Sequence, residues 1–550
     1  MSRFSEKALR ARNESAWLLP TGERRENRSL REKMRRYEES EEVDVVVVGC
    51  GAGGGTLTQR LARRGVRVVA LDAGPWWDPE NDWVSDEAGS HQLYWNEPRV
   101  ISGSDPVPLG SNNSGRGVGG SMVHFAGYVP RFHPSDFETF SRDGVGADWP
   151  ISYEDLKAYY GQIEEELPAA GEPWPWGDPH RYPHHAHPLG PNGEIFRRGA
   201  TKLGLRTRVG PVAIPNGRFG HRNHCIYRGF CLQGCKVNAK ASPLITHVPD
   251  ALAHGAEIRP DSMAFQVVVE GGRARGVRYF HDGTEHYQRA KIVAVAGYSI
   301  ETPRLLLLSA TPEHRDGLCN DHGLVGRYVM VQGAPQTAGR FSEEIRMWKA
   351  PPPEVSCEDF YETDEQKEYE RGFAIQNVSP LPITYSEHVT AQGHWGEVLR
   401  EYMRDYVHWS VLGSLCEFLP RHENGVTLAE EKDRHGLPVA NFSYSKGEND
   451  KALEAAAQSV MEDILRAAGA EEVITINRYA HLVGGCRMAR DPEHGVVDAD
   501  LRSFAVPNLY LTDGSVLPTQ GSANPALTIM SLAARCADHL LSSARSGLAA

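Results

Sequence analysis

The first strong element of the chain is a short, almost unbroken run of β-branched residues. Residues 43–48 (VDVVVV) are followed by Gly49, a pattern typical of a strand that is buried on both faces of a parallel sheet. Residues 53–64 carry two leucines four positions apart and predict a helix. Residues 66–71 (VRVVAL) predict a second strand. Together these segments form a β-α-β unit of about 30 residues.

Similar patterns predict further elements along the chain. These are a helix over 153–167, a β-hairpin over 265–280, a buried strand over 291–295 that leads into a helix through 302–308, a strand over 508–512 and a helix over 525–541. Residues 1–42 mix charges of both signs with few apolar positions. We predict that they form a polar arm on the surface or on a partner subunit. Strands that alternate with helices favour an α/β fold.

Composition excludes several classes of protein. Hydrophobic residues make up 40% and charged residues 24% of the 550 residues, so the chain can build a large core and is not disordered. The net charge of −13 argues against a main role on nucleic acid, which requires a basic face. No run approaches the roughly 20 apolar residues of a membrane span, and no signal peptide is recognisable. We therefore expect a cytoplasmic protein.

A glycine-rich turn follows the first strand. Gly49, Gly51 and Gly54 match the pattern G-x-G-x-x-G between a buried strand and a helix, which is the context that supports a dinucleotide site. Gly49 permits the tight turn, Gly51 lets a pyrophosphate approach the backbone, and Gly54 allows close packing of helix and strand. Asp72 ends the second strand and can accept a hydrogen bond from a ribose hydroxyl, which fits FAD or NAD.

A second glycine-rich segment, residues 116–121 (RGVGGS), favours FAD over NAD. FAD is long enough to need walls beside its isoalloxazine ring, whereas NAD needs no such addition. The residues that we assign to this wall are Arg116, Gly119, Gly120 and Ser121.

The C-terminal part carries motifs in a distinctive order. They are 481–488 (HLVGGCRM), 496–498 (VVD), 508–518 (NLYLTDGSVLP) and 522–525 (SANP). With the glycine turn, they resemble the glucose–methanol–choline (GMC) oxidoreductase family of FAD-dependent alcohol oxidases and dehydrogenases. The resemblance covers residues from about 43 to 135, 225 to 330 and 475 to 542. The pyranose or glycoside oxidases and the gluconate or fructose dehydrogenases are the most similar branches.

The resemblance implies a catalytic pair. Family members carry a histidine that opens the H-x-x-G-x-C motif and a second His or Asn about 43 residues later. These positions are His481 and Asn524 here. An imidazole near its reference pKa of about 6.5 can accept the hydroxyl proton while a hydride moves to flavin N5. Asn524 can donate a hydrogen bond to the same oxygen.

Residues beside the catalytic pair are expected to contact the cofactor. Asn524 and Pro525 also form a suitable N-cap and first residue for the following helix, whose positive end would then point at the flavin. Asp513 and Gly514 resemble the family segment that touches the ribityl chain and pyrophosphate. For Asp513, a simple turn residue is the alternative.

His124 lies four residues beyond the glycines of the second segment. In the pyranose oxidase branch a histidine in this place carries the flavin covalently. Other branches keep a similar residue and hold the flavin without a covalent bond. We therefore assign His124 to the cofactor site and favour non-covalent FAD.

Three cysteines lie close together in the sequence, at Cys225, Cys231 and Cys235. Their spacing matches a zinc or iron–sulfur site poorly. We expect packing thiols or a local disulfide near the flavin, and no metal.

The sequence thus predicts an α/β protein with a discontinuous, Rossmann-type FAD-binding domain and a second, sheet-based substrate-binding lobe. We assign residues 43–150, 211–334 and 471–550 to the first domain and residues 151–210 and 335–470 to the lobe.

The function that we expect is oxidation of a secondary alcohol of a sugar or glycoside to a ketone, with oxygen or another electron acceptor. One alternative is a dehydrogenase of a non-sugar alcohol or polyol that passes electrons to a quinone or a partner protein. Another is a non-catalytic flavoprotein. A homo-oligomer and an electron-accepting partner both stay open.

Overall fold

The computed structural model describes residues 29–83, 86–109, 114–217, 219 and 222–545. Its strands are β1 Val43–Val48, β2 Val68–Leu71, β3 Val100–Ser102, β4 Ala170–Gly171, β5 His184–His185, β6 Arg208–Val209, β7 Glu257–Arg259, β8 Ser262–Glu270, β9 Arg273–His281, β10 Thr284–Val295, β11 Arg327–Gly333, β12 Gln336–Arg340, β13 Val355–Cys357, β14 Phe373–Val378, β15 Trp409–Cys416, β16 Gly425–Lys432, β17 Pro438–Ser443, β18 Glu472–Ile476, β19 Tyr479–Gly485 and β20 Leu509–Leu511. Its α-helices are α1 Ala52–Ala62, α2 Thr139–Asp143, α3 Tyr153–Glu166, α4 Pro191–Lys202, α5 His247–Ala253, α6 Tyr298–Leu308, α7 Pro382–Ala391, α8 Glu397–Arg404, α9 Glu448–Ala468 and α10 Ala526–Arg545.

The first sheet has a parallel centre. Its strands lie in the order β7-β2-β1-β10-β9-β8, and β20 pairs with β10. β10 has two halves with different partners: residues 290–295 run parallel to β1 and β20, whereas residues 284–289 pair antiparallel with β9. The valines of β1 are buried, as expected for a strand covered on both faces. The β-α-β unit and the 265–280 hairpin predicted from the sequence are both present.

The second sheet is larger and mostly antiparallel. Within the described residues its main path is β3-β17-β16-β11-β15-β14-β13-β6, with β12, β18 and β19 attached to it. The long helix α9 packs against β12 and β15, and α4 packs against α9. A Gly469 in the left-handed region (φ 106°) ends α9. The two sheets confirm the predicted α/β class with a separate, sheet-based lobe.

Two groups of buried hydrophobic residues correspond to these sheets. We call them the first core, around the parallel sheet, and the second core, around the antiparallel sheet. Helices α1, α3 and α10 pack together in the first core. The second core includes α4, α9 and the inner strands of the second sheet.

The division between the cores differs from the predicted domain boundaries for several elements, among them α3, β3, β11 and β19. α3, assigned to the substrate lobe, packs in the first core, where Tyr160 Oη and Thr528 Oγ1 lie 2.9 Å apart. Conversely β3, β11 and β19, assigned to the FAD-binding domain, pair within the second sheet. Strand pairing and helix docking depend on contacts distant in sequence, so local patterns did not reveal these memberships.

Part of the predicted N-terminal arm is described. Met34 and Tyr37 are buried against the first core. The backbone N–H of Tyr37 donates to Glu257 Oε2 at 2.8 Å. Residues 29–42 therefore pack on their own chain, and the rest of the arm lies outside the described residues. Within the described ranges, no helix combines the length and apolar character that a bilayer crossing requires.

Candidate active site

The carboxyl ends of the parallel strands meet at one edge of the first sheet. The Gly49 turn follows β1, Asp72 follows β2, Ala296 follows β10, and Asp513 lies two residues after the end of β20. Ligands of α/β proteins bind at this edge of the sheet. The parallel register therefore brings together residues that are more than 400 positions apart in sequence.

The three glycines of the turn have different surroundings. Gly49 has a φ of 97°, and a Cβ there would lie 2.2 Å from the carbonyl oxygen of Ala296. A Cβ on Gly54 would lie 2.0 Å from the carbonyl oxygen of Gly49, so Gly54 is needed for packing of helix and strand. A Cβ on Gly51 would meet only Gly120 Cα, at 3.4 Å. Gly51 is thus the glycine that leaves open space for a ligand.

Asp72 is buried and its carboxylate is held by the glycine turn. The backbone N–H of Cys50 donates to Oδ2 and that of Gly74 donates to Oδ1, both at 3.0 Å. Burial raises the pKa of Asp72 to about 6, against the lowering effect of these two hydrogen bonds. Each oxygen keeps a lone pair that can accept a further hydrogen bond.

The second glycine-rich segment packs directly on the first. The N–H of Gly119 donates to the carbonyl oxygen of Cys50 at 3.0 Å, and a Cβ on Gly120 would lie 2.6 Å from Gly51 Cα. Ser121 Oγ accepts the N–H of Gly115 at 2.9 Å. The close contact between the two segments explains why this part of the chain also needs glycine.

Asp513 has a full set of partners. Its Oδ2 accepts the N–H of Tyr298 at 2.9 Å and the hydroxyl of Thr302 at 2.5 Å, and its Oδ1 accepts the N–H of Ser515 at 2.8 Å. The Asp513 side chain therefore joins β20 to the start of α6. This places Gly514, the next residue, at the sheet edge.

A single cavity of about 590 Å³ connects this edge to the C-terminal motifs. The predicted site residues that line it are Gly49, Gly51, Asp72, Arg116, Gly120, Ser121, His124, His481, Asp513, Gly514, Asn524 and Pro525. Gly54 and Gly119 lie behind the wall. A Cβ on Gly119 would point at Leu244 and Val123, at 2.8 Å from each. The lining of this one cavity includes the glycine turn, the acid Asp72 and the His481–Asn524 pair. These residues fit an extended dinucleotide such as FAD.

His481 and Asn524 are in direct contact. Asn524 Nδ2 donates to His481 Nε2 at 3.0 Å, and both residues face the cavity. The two residues that the resemblance implied as a pair are therefore adjacent in the structure, although β19 carries His481 and the loop before α10 carries Asn524.

The backbone at His481 is unusual. Its φ is 47°, in the left-handed region that non-glycine residues seldom adopt. The register of β19 against β11 shifts here: Met330 pairs with Val483, and Gln332 pairs with Ala480. The two paired positions are two residues apart on β11 and three residues apart on β19, so β19 contains one extra residue, a β-bulge. A bulge changes the direction of a side chain on a strand, and such strain is often found at functional sites.

Sequence reasoning missed Gln332, which holds the other side of the imidazole. Gln332 Oε1 lies 2.6 Å from His481 Nδ1. Its Nε2 donates to the carbonyl oxygens of Gly521 at 2.6 Å and Ala523 at 3.0 Å. A single glutamine in the strand sequence RYVMVQG carries no motif, so no signal in the sequence could have identified it.

Burial lowers the pKa of His481 to about 4, and no charged group contributes to the shift. This pKa is lower than the value expected from the sequence, which is the reference of about 6.5. The lower pKa leaves the imidazole neutral at pH 7, so one ring nitrogen has a free lone pair.

The helix-cap interpretation of Asn524 is wrong. The first backbone hydrogen bond of α10 runs from the N–H of Ile529 to the carbonyl oxygen of Pro525, and α10 begins at Ala526. Asn524 Oδ1, the atom that would cap the helix, has no hydrogen-bond partner among the described residues. The amide is turned toward His481 instead, which leaves Oδ1 as a buried acceptor.

His124 lies in the cavity wall. Neither of its ring nitrogens has a hydrogen-bond partner in the described part of the chain, and the Tyr94 ring contacts it edge-on with centroids 5.0 Å apart. Burial, with the nearby charge of Lys240, lowers the pKa of His124 to about 3. The covalent link through His124 stays the less favoured alternative.

The cysteine cluster is made of free thiols. Cys225, Cys231 and Cys235 form no disulfide. Burial raises the pKa of Cys225 to about 11 and also raises that of Cys231, so both are protonated at neutral pH. Of the two alternatives, packing thiols are what the structure shows. In the described residues, no group of three or more His, Cys, Asp or Glu could hold a metal ion.

Comparison with known proteins gives consistent matches. Residues 107–332 match the N-terminal family model, and residues 420–533 the C-terminal family model, described as GMC oxidoreductase. The chain is 32% identical to 2-methyl-1,2-propanediol dehydrogenase of Mycolicibacterium austroafricanum over 91% of this chain and 95% of that protein. It is 28% identical to the fructose dehydrogenase large subunit of Gluconobacter japonicus over 92% of this chain and 98% of that protein.

A solved structure has the same fold. Pyridoxine 4-oxidase from Mesorbium loti superposes with a TM-score of 0.66 and 17% sequence identity, over 91% of this chain and 99% of that chain. At this identity the likeness concerns the fold alone.

Proposed function

The chain belongs to the GMC oxidoreductase family of FAD-dependent enzymes that act on alcohol groups, and we propose that it oxidises a secondary alcohol of a sugar or glycoside to a ketone. Its FAD-binding character and its enzymatic class, both expected from the sequence, are confirmed by these comparisons. The proposal adds the roles of individual residues and the class of substrate.

The observation that carries the proposal is the contact of His481 with Asn524 in the cavity wall. Both residues line the cavity, and among the described residues the hydrogen-bond partner of His481 Nε2 is the Asn524 amide, at 3.0 Å. A substrate hydroxyl that enters between them can give its proton to Nε2. The Asn524 N–H group can then donate to the substrate oxygen as negative charge develops on it.

FAD supplies the acceptor for the hydride that leaves the carbinol carbon. The glycine turn and the second glycine-rich segment would hold it, with Gly51 and Gly120 leaving space for the pyrophosphate and Asp72 accepting a hydrogen bond from the ribose. Arg116, Ser121, Asp513, Gly514 and Pro525 line the same cavity and complete this proposed binding surface.

The substrate class is supported by polar side chains that line the same cavity as the catalytic pair. Gln336 and Gln376 both pair with Gly413 on the central strand β15, and all three line the cavity. Residues directly opposite each other in a sheet share a face, so a glycine lies between two amides. Gln376 Oε1 has no hydrogen-bond partner among the described residues. Such a surface suits a compound with several hydroxyl groups.

Tryptophan side chains can stack on sugar rings. Trp76, Trp77 and Trp83 do not line the cavity, whereas Trp95 does. Trp77 Nε1 instead donates to the carbonyl oxygen of Arg116 at 3.0 Å, which supports the second glycine-rich segment. The loops with several tryptophans therefore act mainly in packing.

A second candidate function is oxidation of a non-sugar polyol with electron transfer to a quinone or a partner protein. The two relatives described above favour it, because both are named as dehydrogenases and the name of one specifies a propanediol. Hydrogen peroxide produced during turnover in air would indicate an oxidase, and its absence would indicate a dehydrogenase. The cytoplasmic location and the oligomeric state stay predictions.

The test is anaerobic reduction of bound flavin, followed by loss of its absorbance, across sugars, glycosides and short diols. We expect a sugar or polyol to bleach the wild-type enzyme. His481→Ala should keep bound flavin and lose substrate-driven reduction by about 10²-fold or more. His494→Ala, at an exposed histidine paired with Asp491, is the matched control and should behave as wild type. Near-normal reduction by His481→Ala would remove His481 from the role of base.

A further inference from the structure

Gln332 is a buried side chain that contacts His481 and the backbone segment directly before Asn524. It lies on β11 and has no exposed surface. One end of its amide touches His481, and the other touches the Gly521–Ala523 segment that leads directly into Asn524.

The chemistry of its neighbours fixes the orientation of the Gln332 amide. The carbonyl oxygens of Gly521 and Ala523 can only accept hydrogen bonds, and they lie 2.6 and 3.0 Å from one end of the amide. That end must therefore be the NH₂ group. The amide oxygen then faces His481 Nδ1 at 2.6 Å.

The same reasoning assigns the proton on the imidazole. An amide oxygen can only accept, so His481 Nδ1 must carry a hydrogen and donate it to Gln332. A neutral imidazole has a single N–H, so Nε2 carries the lone pair. On that side the Asn524 NH₂ group donates to Nε2 at 3.0 Å. The contact with Gln332 thus requires the Nδ1–H tautomer, and the contact with the Asn524 NH₂ group agrees with it.

We propose that Gln332 is a positioning residue that holds His481 in the Nδ1–H tautomer and places Asn524 opposite its Nε2. The proposal rests on the proposed role of His481 as the base. With the other tautomer, Nε2–H would face the Asn524 NH₂ group, which is also a donor, and Nδ1 would face an amide oxygen, which is also an acceptor. No lone pair would then point into the cavity to receive a proton.

The chain offers a matched control in Gln520. This buried glutamine also donates from Nε2 to two carbonyl oxygens, those of Val331 at 3.0 Å and Phe418 at 2.9 Å. It makes no contact with His481. Gln332→Met and Gln520→Met therefore each remove a buried amide that bridges two carbonyls, but only the first removes the partner of the imidazole.

The first measurement is the limiting rate of anaerobic flavin reduction at saturating substrate. We expect Gln332→Met to lower this rate by about 10²-fold or more, the usual contribution of a general base, with flavin content retained. Gln520→Met should lower the melting temperature by a similar amount and change the rate by less than about threefold, since it leaves the pair intact. Equal rates in the two variants would overturn the proposal.

The second measurement needs neither substrate nor turnover. Proton and long-range ¹⁵N NMR of the histidine-labelled holoenzyme reports which ring nitrogen is protonated, and the His481→Gln variant assigns the signal. We expect a downfield N–H proton on Nδ1 of His481 in the wild type and in Gln520→Met, and its loss in Gln332→Met. A proton on Nε2 in the wild type would overturn the proposal even if a substrate for the enzyme is never found. If the tautomer is as expected but His481→Ala still reduces flavin, the proposed function fails and the assignment of the tautomer stands.

Discussion

The difference between Gly51 and Gly54 allows cofactor binding to be separated from folding. Gly51 has a φ of −84°, which any residue can adopt, and an added Cβ would meet only Gly120 Cα at the ordinary contact distance of 3.4 Å. An added Cβ on Gly54 would lie 2.0 Å from a backbone carbonyl oxygen. Alanine should therefore be accommodated at position 51 and should displace the backbone at position 54.

The expected magnitudes follow from these contacts. The methyl group of Gly51→Ala would occupy part of the cavity that the pyrophosphate is proposed to use, and overpacking of a fitted site costs about 1–3 kcal/mol. Since 1.4 kcal/mol corresponds to a factor of ten, FAD should bind about 5- to 150-fold more weakly. The stability of the flavin-free chain should change little or rise by about 0.4–1 kcal/mol, because alanine reduces the entropy of the unfolded state. Gly54→Ala should lose both stability and FAD.

Two measurements test this separation. The flavin-to-protein ratio after purification reports occupancy, and thermal unfolding at graded FAD concentrations reports affinity together with the stability of the flavin-free chain. For Gly51→Ala we expect a normal melting temperature without FAD and a weaker rise as FAD is added. Wild-type affinity in Gly51→Ala, or equal loss of stability in the two variants, would show that the pyrophosphate does not approach the chain at Gly51.

Two further predictions concern buried charge. The base form of His481 is lost as pH falls through its pKa of about 4. The limiting rate of flavin reduction, measured by stopped-flow bleaching, should therefore stay level from pH 7 to about 5 and fall at lower pH. A fall in rate near pH 6.5 would mean that the imidazole is not desolvated. Arg371 is fully buried and pairs with Asp136 at 2.5 Å and Glu417 at 2.8 Å, so Arg371→Met should lower the free energy of unfolding by about 3–5 kcal/mol because it leaves buried carboxylates without their partner. Arg466→Met, at a half-exposed ion pair on a helix, should change the free energy of unfolding by less than about 0.5 kcal/mol. Similar denaturation midpoints for the two variants would contradict the first value.

Much of the first sheet could be predicted because its signals are local. The valine run of β1 followed by Gly49 indicates a buried parallel strand and a tight turn within eight residues, and the structure has both. The pairing of His481 with Asn524, 43 residues apart, was also predicted, but this prediction came from the resemblance to a family. The physical pattern of residues alone did not bring those two positions together.

Other features depend on contacts that no local pattern records. β11 and β19 could not be assigned to the second sheet, since their partners are chosen by packing far away in sequence. The left-handed backbone of His481 arises from a bulge in that pairing. Gln332 acquires its contacts only through the same pairing. The unforeseen features of the site thus have one common origin, the register between β11 and β19.

The catalytic pair lies where the two cores meet. The buried ion pairs of Arg371 with Asp136, Asp143 and Glu417, which we call the ionic network, contribute to the stability of this region. His481 belongs to the second sheet, whereas Asn524 precedes α10 of the first core, so their 3.0 Å contact depends on how the cores are joined. The network contacts the segment before Asn524: Ser522 Oγ donates to the carbonyl oxygen of Gly372 at 2.7 Å, next to Arg371. A Cβ on Gly49 or Gly51 would meet Ala296 or Gly120, so these two glycines of the first turn contact residues away from Gly372 and Ser522. Loosening the network should therefore separate His481 from Asn524 and slow flavin reduction at a point where flavin binding is still intact.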